Sequence, residues 1–116
     1  MQRRHRLRST AEILRVRRSG ESYAHPLLVL RIKAGKDPVS RFAVTAGRTV
    51  GNAVQRNRAK RLLRAALQEV IDDIQPGYQG ILIARKPLLD ANYQETSLAL
   101  RSLLQRAGIG TSNEYE

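Results

Sequence analysis

The chain has 116 residues, with 21 Lys and Arg against 10 Asp and Glu for a formal net charge of +11, and no cysteine. That length supports one compact core and no second domain. The missing thiols exclude disulfides and cysteine-ligated metal and fit a cytoplasmic protein, and no apolar run approaches the ~20 residues that span a bilayer, so the expected partners include no membrane.

Residues 1–8 form a basic arm, with Arg3, Arg4, Arg6 and Arg8 around Leu7 as its one apolar handle. The arm does not open an export signal, because Glu12, Arg15, Arg17 and Arg18 occupy the place of an apolar segment. Ser9-Thr10-Ala11-Glu12 matches a capping box in which Glu12 reaches back to the cap amide. A short helix is expected from there to about Arg18, apolar through Ile13, Leu14 and Val16, basic in its last turn, and ended by Gly20 as a C′ residue.

Between residues 27 and 33, Leu28, Leu30 and Ile32 alternate with Val29, Arg31 and Lys33, which predicts a strand with one buried face. Gly35-Lys36-Asp37-Pro38 reads as a turn, and residues 41–46, with Phe42, Val44 and Ala46 on one face, read as the antiparallel partner of a hairpin. An extra short strand has room at residues 21–24.

Residues 50–64 hold Arg56, Arg58, Lys60, Arg61 and Arg64 and no carboxylate. In a helix starting between Ala53 and Asn57 and ending near Asp73, Arg56, Lys60 and Arg64 stack at i, i+4 and i+8, with Asn57 and Arg61 along the next row. Ala59, Leu63, Ala66, Leu67 and Val70 make a core-facing stripe. Like charges at i, i+4 cost a few tenths of a kcal/mol per pair, and a solubilising face mixes both signs. The pattern therefore calls for an external polyanion, with arginine forks and the donors of Gly51-Asn52 suited to phosphate.

Gly80-Ile81-Leu82-Ile83-Ala84 is apolar on both faces and predicts an interior strand, closed by Arg85-Lys86-Pro87. A last helix opens at Asn92 with Glu95 three residues on, runs through Leu100, Leu103 and Leu104, and stops at Gly108. The domain is expected over residues 9–108, with a flexible tail at 109–116. The order αββαβα, with the extra strand, is an α+β sandwich of helices on a small sheet.

Other chemistry has thin support. Glu69, Asp72 and Asp73 read as a solvated helix end, His5 and His25 as surface residues or RNA contacts, and no Gly-rich phosphate loop ending in Lys-Ser or Lys-Thr is present. Tyr23, Tyr78, Tyr93 and Tyr115 are single candidates for base stacking. A structural, ribosomal-type RNA-binding protein shares the charge and fold class, whereas a helix-turn-helix reader lacks the tightly preceding helix it needs.

Val50-Gly51-Asn52-Ala53-Val54, then Arg56-Asn57-Arg58 and Lys60-Arg61-Leu62-Leu63-Arg64, resembles the bacterial ribonuclease P protein subunit. Arg6-Leu7, Gly20 and Ala84-Arg85-Lys86-Pro87 agree with that family, and the resemblance runs over nearly the whole chain. It implies an αβββαβα sandwich with a four-stranded mixed sheet and a left-handed parallel crossover. It also implies a protein cofactor of a catalytic RNA, in an endoribonuclease that removes the 5′ leader of precursor tRNA with Mg2+ held mainly by the RNA. Carried over by position, the RNA-binding residues are Arg48, Asn52, Arg56, Asn57, Arg58, Lys60, Arg61 and Arg64, and no residue is catalytic or metal-ligating. The leader cleft of the family, often aromatic, falls on Ile13, Arg17 and Arg31 here, which implies a more electrostatic cleft. The sequence leaves the oligomeric state open.

Overall fold

A computed structural model describes residues 3–110. Residues 1–2 and 111–116, with Tyr115 and most of the expected tail, lie outside them. The elements are α1 (Thr10–Ser19), β1 (Glu21–Ala24), β2 (Leu28–Ala34), β3 (Arg41–Thr45), α2 (Ala53–Val70), β4 (Tyr78–Ala84) and α3 (Tyr93–Arg106), with 3-10 turns at Arg3–His5, Ile71–Asp73 and Lys86–Asp90. The αβββαβα order and the extra strand are as expected.

The sheet order is β1-β2-β4-β3, with β4 antiparallel to β2 and parallel to β3. The expected hairpin between β2 and β3 is therefore not formed, because β4 lies between them. The apolar pattern of β4 explains the exchange. Leu82 and Ala84 serve one face of the sheet while Ile81 and Ile83 serve the other, so an edge position would leave half of that surface uncovered. β3 is shorter, begins at Arg41, and takes the edge instead. α2 becomes the crossover between the parallel strands β3 and β4.

The two faces of the sheet are covered unequally. On one, Leu28, Leu30, Ile32, Phe42 and Leu82 pack with Leu63, Leu67, Leu100 and Leu103 of α2 and α3. On the other, α1 lies alone, and Val16 joins Leu7 and Ile81 in a smaller cluster edged by Ile13, Ala43 and Ile83. Gly80 lets the first core close, since a Cβ there would stand 2.5 Å from the Phe42 ring.

Two helix ends depart from expectation. Ser9 accepts from the Glu12 N–H at 3.3 Å, but only that half of the capping box forms. Gly20 is extended at φ −73° and not left-handed. It is required for close approach, as a Cβ would meet Val16 O at 2.5 Å and Ile32 O at 3.1 Å. The folded body also reaches past both boundaries read from the sequence. Leu7 N–H donates to Phe42 C=O at 2.9 Å, Ile109 is buried, and Gln75 N–H donates to Ile109 C=O at 2.9 Å.

Candidate nucleic-acid interface

α2 begins at a complete capping box. The Asn52 side chain accepts from Gln55 N–H at 2.9 Å, and the Gln55 side chain accepts from Asn52 N–H at 2.9 Å. Gly51 makes room for it: at φ +154° it adopts a conformation that L side chains rarely take, and a Cβ would fall 2.1 Å from Gln55 Oε1. Two orphan amides of the first turn are thereby satisfied within the chain. Asn52, expected as an RNA contact, has its side-chain oxygen committed to holding the helix start. Gln55 was not among the expected residues, although Asn52-x-x-Gln55 repeats the pattern of Asn92-x-x-Glu95, which forms the same box at α3.

The cations beyond the cap fall into three strips. Ala59, Leu63, Ala66, Leu67 and Val70 are buried as expected. Arg56, Lys60 and Arg64 are half-buried, which places them on a shoulder beside the core stripe and not opposite it. Asn57 and Arg61 are exposed on the outward face, and Arg58 is exposed on the other flank. Arg56 donates from Nη1 to Gly51 C=O at 3.1 Å, so its guanidinium leans on the cap. Arg48 is exposed in the loop before it.

None of these cations pairs with a carboxylate among the described residues. Among the described residues the ion pairs are Arg41–Asp37 at 3.1 Å and Arg101–Glu69 at 3.9 Å, and neither touches residues 48–64. A rigid, capped helix thus carries a row of like charges, unfavourable by a few tenths of a kcal/mol per i, i+4 pair. Such a row complements a polyanion with regularly spaced charges, of which a phosphate backbone is one kind.

The residues expected in a cleft on the α1 face have separate roles. Ile13 is half-buried at the edge of the α1 cluster. Arg31 donates from Nη2 to Gly20 C=O at 2.9 Å and from Nε to Val16 C=O at 3.4 Å, closing the C-terminal carbonyls of α1. Its charge serves the helix dipole as well. Arg17 is exposed. On the other flank of α1, Arg15 donates to Gln79 Oε1 at 2.8 Å and to Ala34 C=O at 3.2 Å, which ties the helix over one end of β2 and β4. Toward the opposite end Val29, Ala43, Thr45 and Ile83 stay half-exposed, with Ile13 packed in the same cluster as Ala43 and Ile83. Among the described residues no aromatic ring belongs to this cluster. Phe42 is buried on the other face, and Tyr23 and Tyr78 pack there too.

The carboxylates of α2 and the turn after it are separated in use. Glu69 accepts from Tyr93 Oη and Ser97 Oγ, each at 2.9 Å, and so binds α3 instead of joining Asp72 and Asp73. Those two hydrogen bonds, Tyr93 first, hold its carboxyl below the usual value and Glu69 in turn raises the Tyr93 phenol. Among the described residues no three His, Asp or Glu side chains group as metal ligands. His25 accepts from Leu27 N–H at 3.0 Å in the turn between β1 and β2, and His5 is buried against β3. No described helix is long and apolar enough to cross a membrane.

Comparison with known proteins gives a consistent result. The family model described as Ribonuclease P matches residues 1–108. The ribonuclease P protein component of Herpetosiphon aurantiacus is 38% identical over 114 residues, covering 98% of this chain and 93% of that protein. The solved ribonuclease P protein of Staphylococcus aureus is similar with a TM-score of 0.79 at 26% identity, over 91% of this chain and 97% of that one. That of Thermotoga maritima gives 0.77 at 26% identity, over 87% and 96%. A match across nearly the whole chain, on a fold that presents an unneutralised arginine row from a capped crossover helix, places the chain in the ribonuclease P protein family.

Proposed function

We propose that this chain is the protein subunit of ribonuclease P, acting in the cytoplasm to assist a catalytic RNA in the Mg2+-dependent removal of the 5′ leader from precursor tRNA. The observation that carries this reading is the α2 surface: Arg58 and Arg61 are exposed, Arg56, Lys60 and Arg64 are half-buried beside them, and among the described residues no carboxylate pairs with any of them. Planar guanidinium forks take phosphate oxygens two at a time. Each contact displaces a counterion from the RNA, so affinity falls steeply with salt. The chain supplies charge and position while the RNA carries the chemistry.

The half-exposed surface beside α1 suits the leader strand. Val29 and Ile83 offer apolar contact and Arg17 offers charge, whereas the ring stacking that contributes ~1–3 kcal/mol per base in many single-strand sites has no provider there among the described residues. Leader binding is accordingly weak per nucleotide and sensitive to salt. The donor set of the described residues does not fit a protein-held metal. In this reading the magnesium ions belong with the RNA, and the protein lowers the concentration required by screening phosphate repulsion.

Cleavage of precursor tRNA by the catalytic RNA alone, the protein alone and both together tests the reading. The pair should cut at lower magnesium than the RNA alone, and the protein alone should leave the substrate intact. Cleavage by the protein alone would overturn the assignment of chemistry to RNA, and an unchanged magnesium requirement would move the chain to the structural RNA-binding class. Arg61→Ala should flatten the log–log salt dependence of RNA affinity by about 0.7–0.9, one phosphate contact.

A further inference from the structure

The start of the chain has no part in the interface described so far, yet it is held in place by several contacts. Leu7 N–H donates to Phe42 C=O at 2.9 Å, and Arg6 bridges Phe42 in parallel register. His5 Nδ1 lies 3.1 Å from Ser40 O, and Arg41 donates from Nη1 to Arg4 C=O. Ser40 is itself fixed, donating from Oγ to Gln75 C=O at 2.7 Å and accepting from Tyr78 N–H at 3.0 Å. The segment thus lies along the open edge of β3, with a 3-10 turn at Arg3–His5 and a single bridge at Arg6. His5 and Leu7 are buried, and Arg3, Arg4, Arg6 and Arg8 are exposed.

The register decides where these cations go. Bridged residues send their side chains to the same face, and successive residues alternate. Phe42 lies in the core under α2, so Arg6 leaves the edge on the α2 side, while Leu7 turns to the α1 side and packs with Val16 and Ile81. α3 adjoins α2 on its Glu69 flank. At ~100° per residue, Arg56, Lys60 and Arg64 occupy the opposite flank, the one that overhangs β3. The arm and the shoulder of α2 therefore share one edge of the molecule.

We propose that Arg6, with Arg3 and Arg4 behind it, continues the Arg56, Lys60, Arg64 row into a single phosphate-binding strip along the β3 edge. Its ligand is the sugar–phosphate backbone of an RNA strand, read by charge and not by base identity. The row on α2 covers ~12 Å at the helical rise, and the docked arm lengthens it beyond the helix. Folding, not the RNA, sets the place of the arm cations, so little ordering entropy is spent on binding. The inference rests on the reading of α2 as the RNA-docking surface.

The test measures affinity of the full chain for the catalytic RNA across a salt series, with Arg6→Ala, Arg61→Ala and Arg106→Ala compared. Arg106 donates to Ala24 C=O on β1, at the far edge of the sheet, and serves as the control for net charge. Arg6→Ala should lower the salt slope by about 0.7–0.9, and Arg106→Ala should leave it near the parent. A second variant, Leu7→Ser, keeps every cation but loosens the anchor, and should weaken RNA binding at unchanged net charge. Equal effects of Arg6→Ala and Arg106→Ala would overturn the strip, as would parental affinity in a folded Leu7→Ser protein. If Leu7→Ser does not fold, the Arg6 and Arg106 pair decides alone. An inert Arg61→Ala beside an active Arg6→Ala would instead overturn the α2 surface and leave the arm as the site.

Discussion

The two ends of α2 treat charge in opposite ways. At its start, Arg56, Arg58, Lys60, Arg61 and Arg64 crowd one stretch of helix with no carboxylate paired to them among the described residues, and the helix is held by neutral groups, the Asn52 and Gln55 cap. At its end, Glu69 is met by Tyr93 and Ser97 of α3, with Arg101 3.9 Å away. Charge satisfied inside the chain ties two elements together, and charge left unmet on a rigid frame is available to a partner. The same helix does both because its core stripe, Ala59 through Val70, fixes the orientation of each end.

The strongest way to break that arrangement is through the shared stripe. Leu63 is fully buried among the residues joining α2 to the sheet. Leu63→Ala should cost about 2–5 kcal/mol in urea unfolding, as large-to-small changes in well-packed cores do. Arg61→Ala on the adjoining face should leave stability unchanged or raise it slightly by relieving like-charge repulsion. Were Arg61→Ala to destabilise as much as Leu63→Ala, the arginine row would belong to the fold and not to the RNA.

Asn52 sharpens the comparison at the next scale, since it stands where both explanations meet. As a cap, its loss in Asn52→Ala should cost about 0.5–2 kcal/mol. Asn52→Asp keeps the acceptor, adds a negative charge at a helix N-terminus, and should hold or improve stability. Beside an RNA backbone the same carboxylate should weaken binding. Stability retained with affinity lost in Asn52→Asp identifies a cap next to phosphate, whereas loss of stability in that variant would refute the capping role.

What the sequence discloses follows from the range of the signal. The rows of α2 are legible because 3.6-residue periodicity is local and eighteen residues long. The β4 pattern disclosed an interior strand, but not which neighbours it separates. Alternation in β2 and β3 with a turn between them looks the same whether they pair or part, and the deciding contacts come from residues 78–84. Arg31 shows a further limit, because a cation alternating along a strand has the same pattern whether it meets RNA or the end of α1. Arg6-Leu7 is too short to have a period, so the docking of the arm emerges only with the edge of β3 in place.

The smallest expected effect lies in the seam between α2 and α3, and pH reads both of its partners. The Glu69 carboxyl is held below its ordinary 4.5, by Tyr93 first and Ser97 next. A depressed carboxyl contributes stability that is fully present above the unfolded value and is lost as pH falls through the folded one. The Tyr93 phenol is raised above 10.0, chiefly by Glu69, so its contribution is present below that value and is lost as pH climbs through the folded one. The seam should weaken at both ends of the scale. Glu69→Gln should flatten part of the acid limb of a stability–pH curve, the remainder belonging to Asp37, whose carboxyl is lowered by Val39 N–H and then by Arg41. Tyr93→Phe should flatten part of the alkaline limb and, because Tyr93 is the first cause of the lowered Glu69 carboxyl, part of the acid limb as well. An acid limb unchanged in Glu69→Gln would show that α3 is held by its leucines without help from this carboxylate, and the contrast between the two ends of α2 would reduce to exposure.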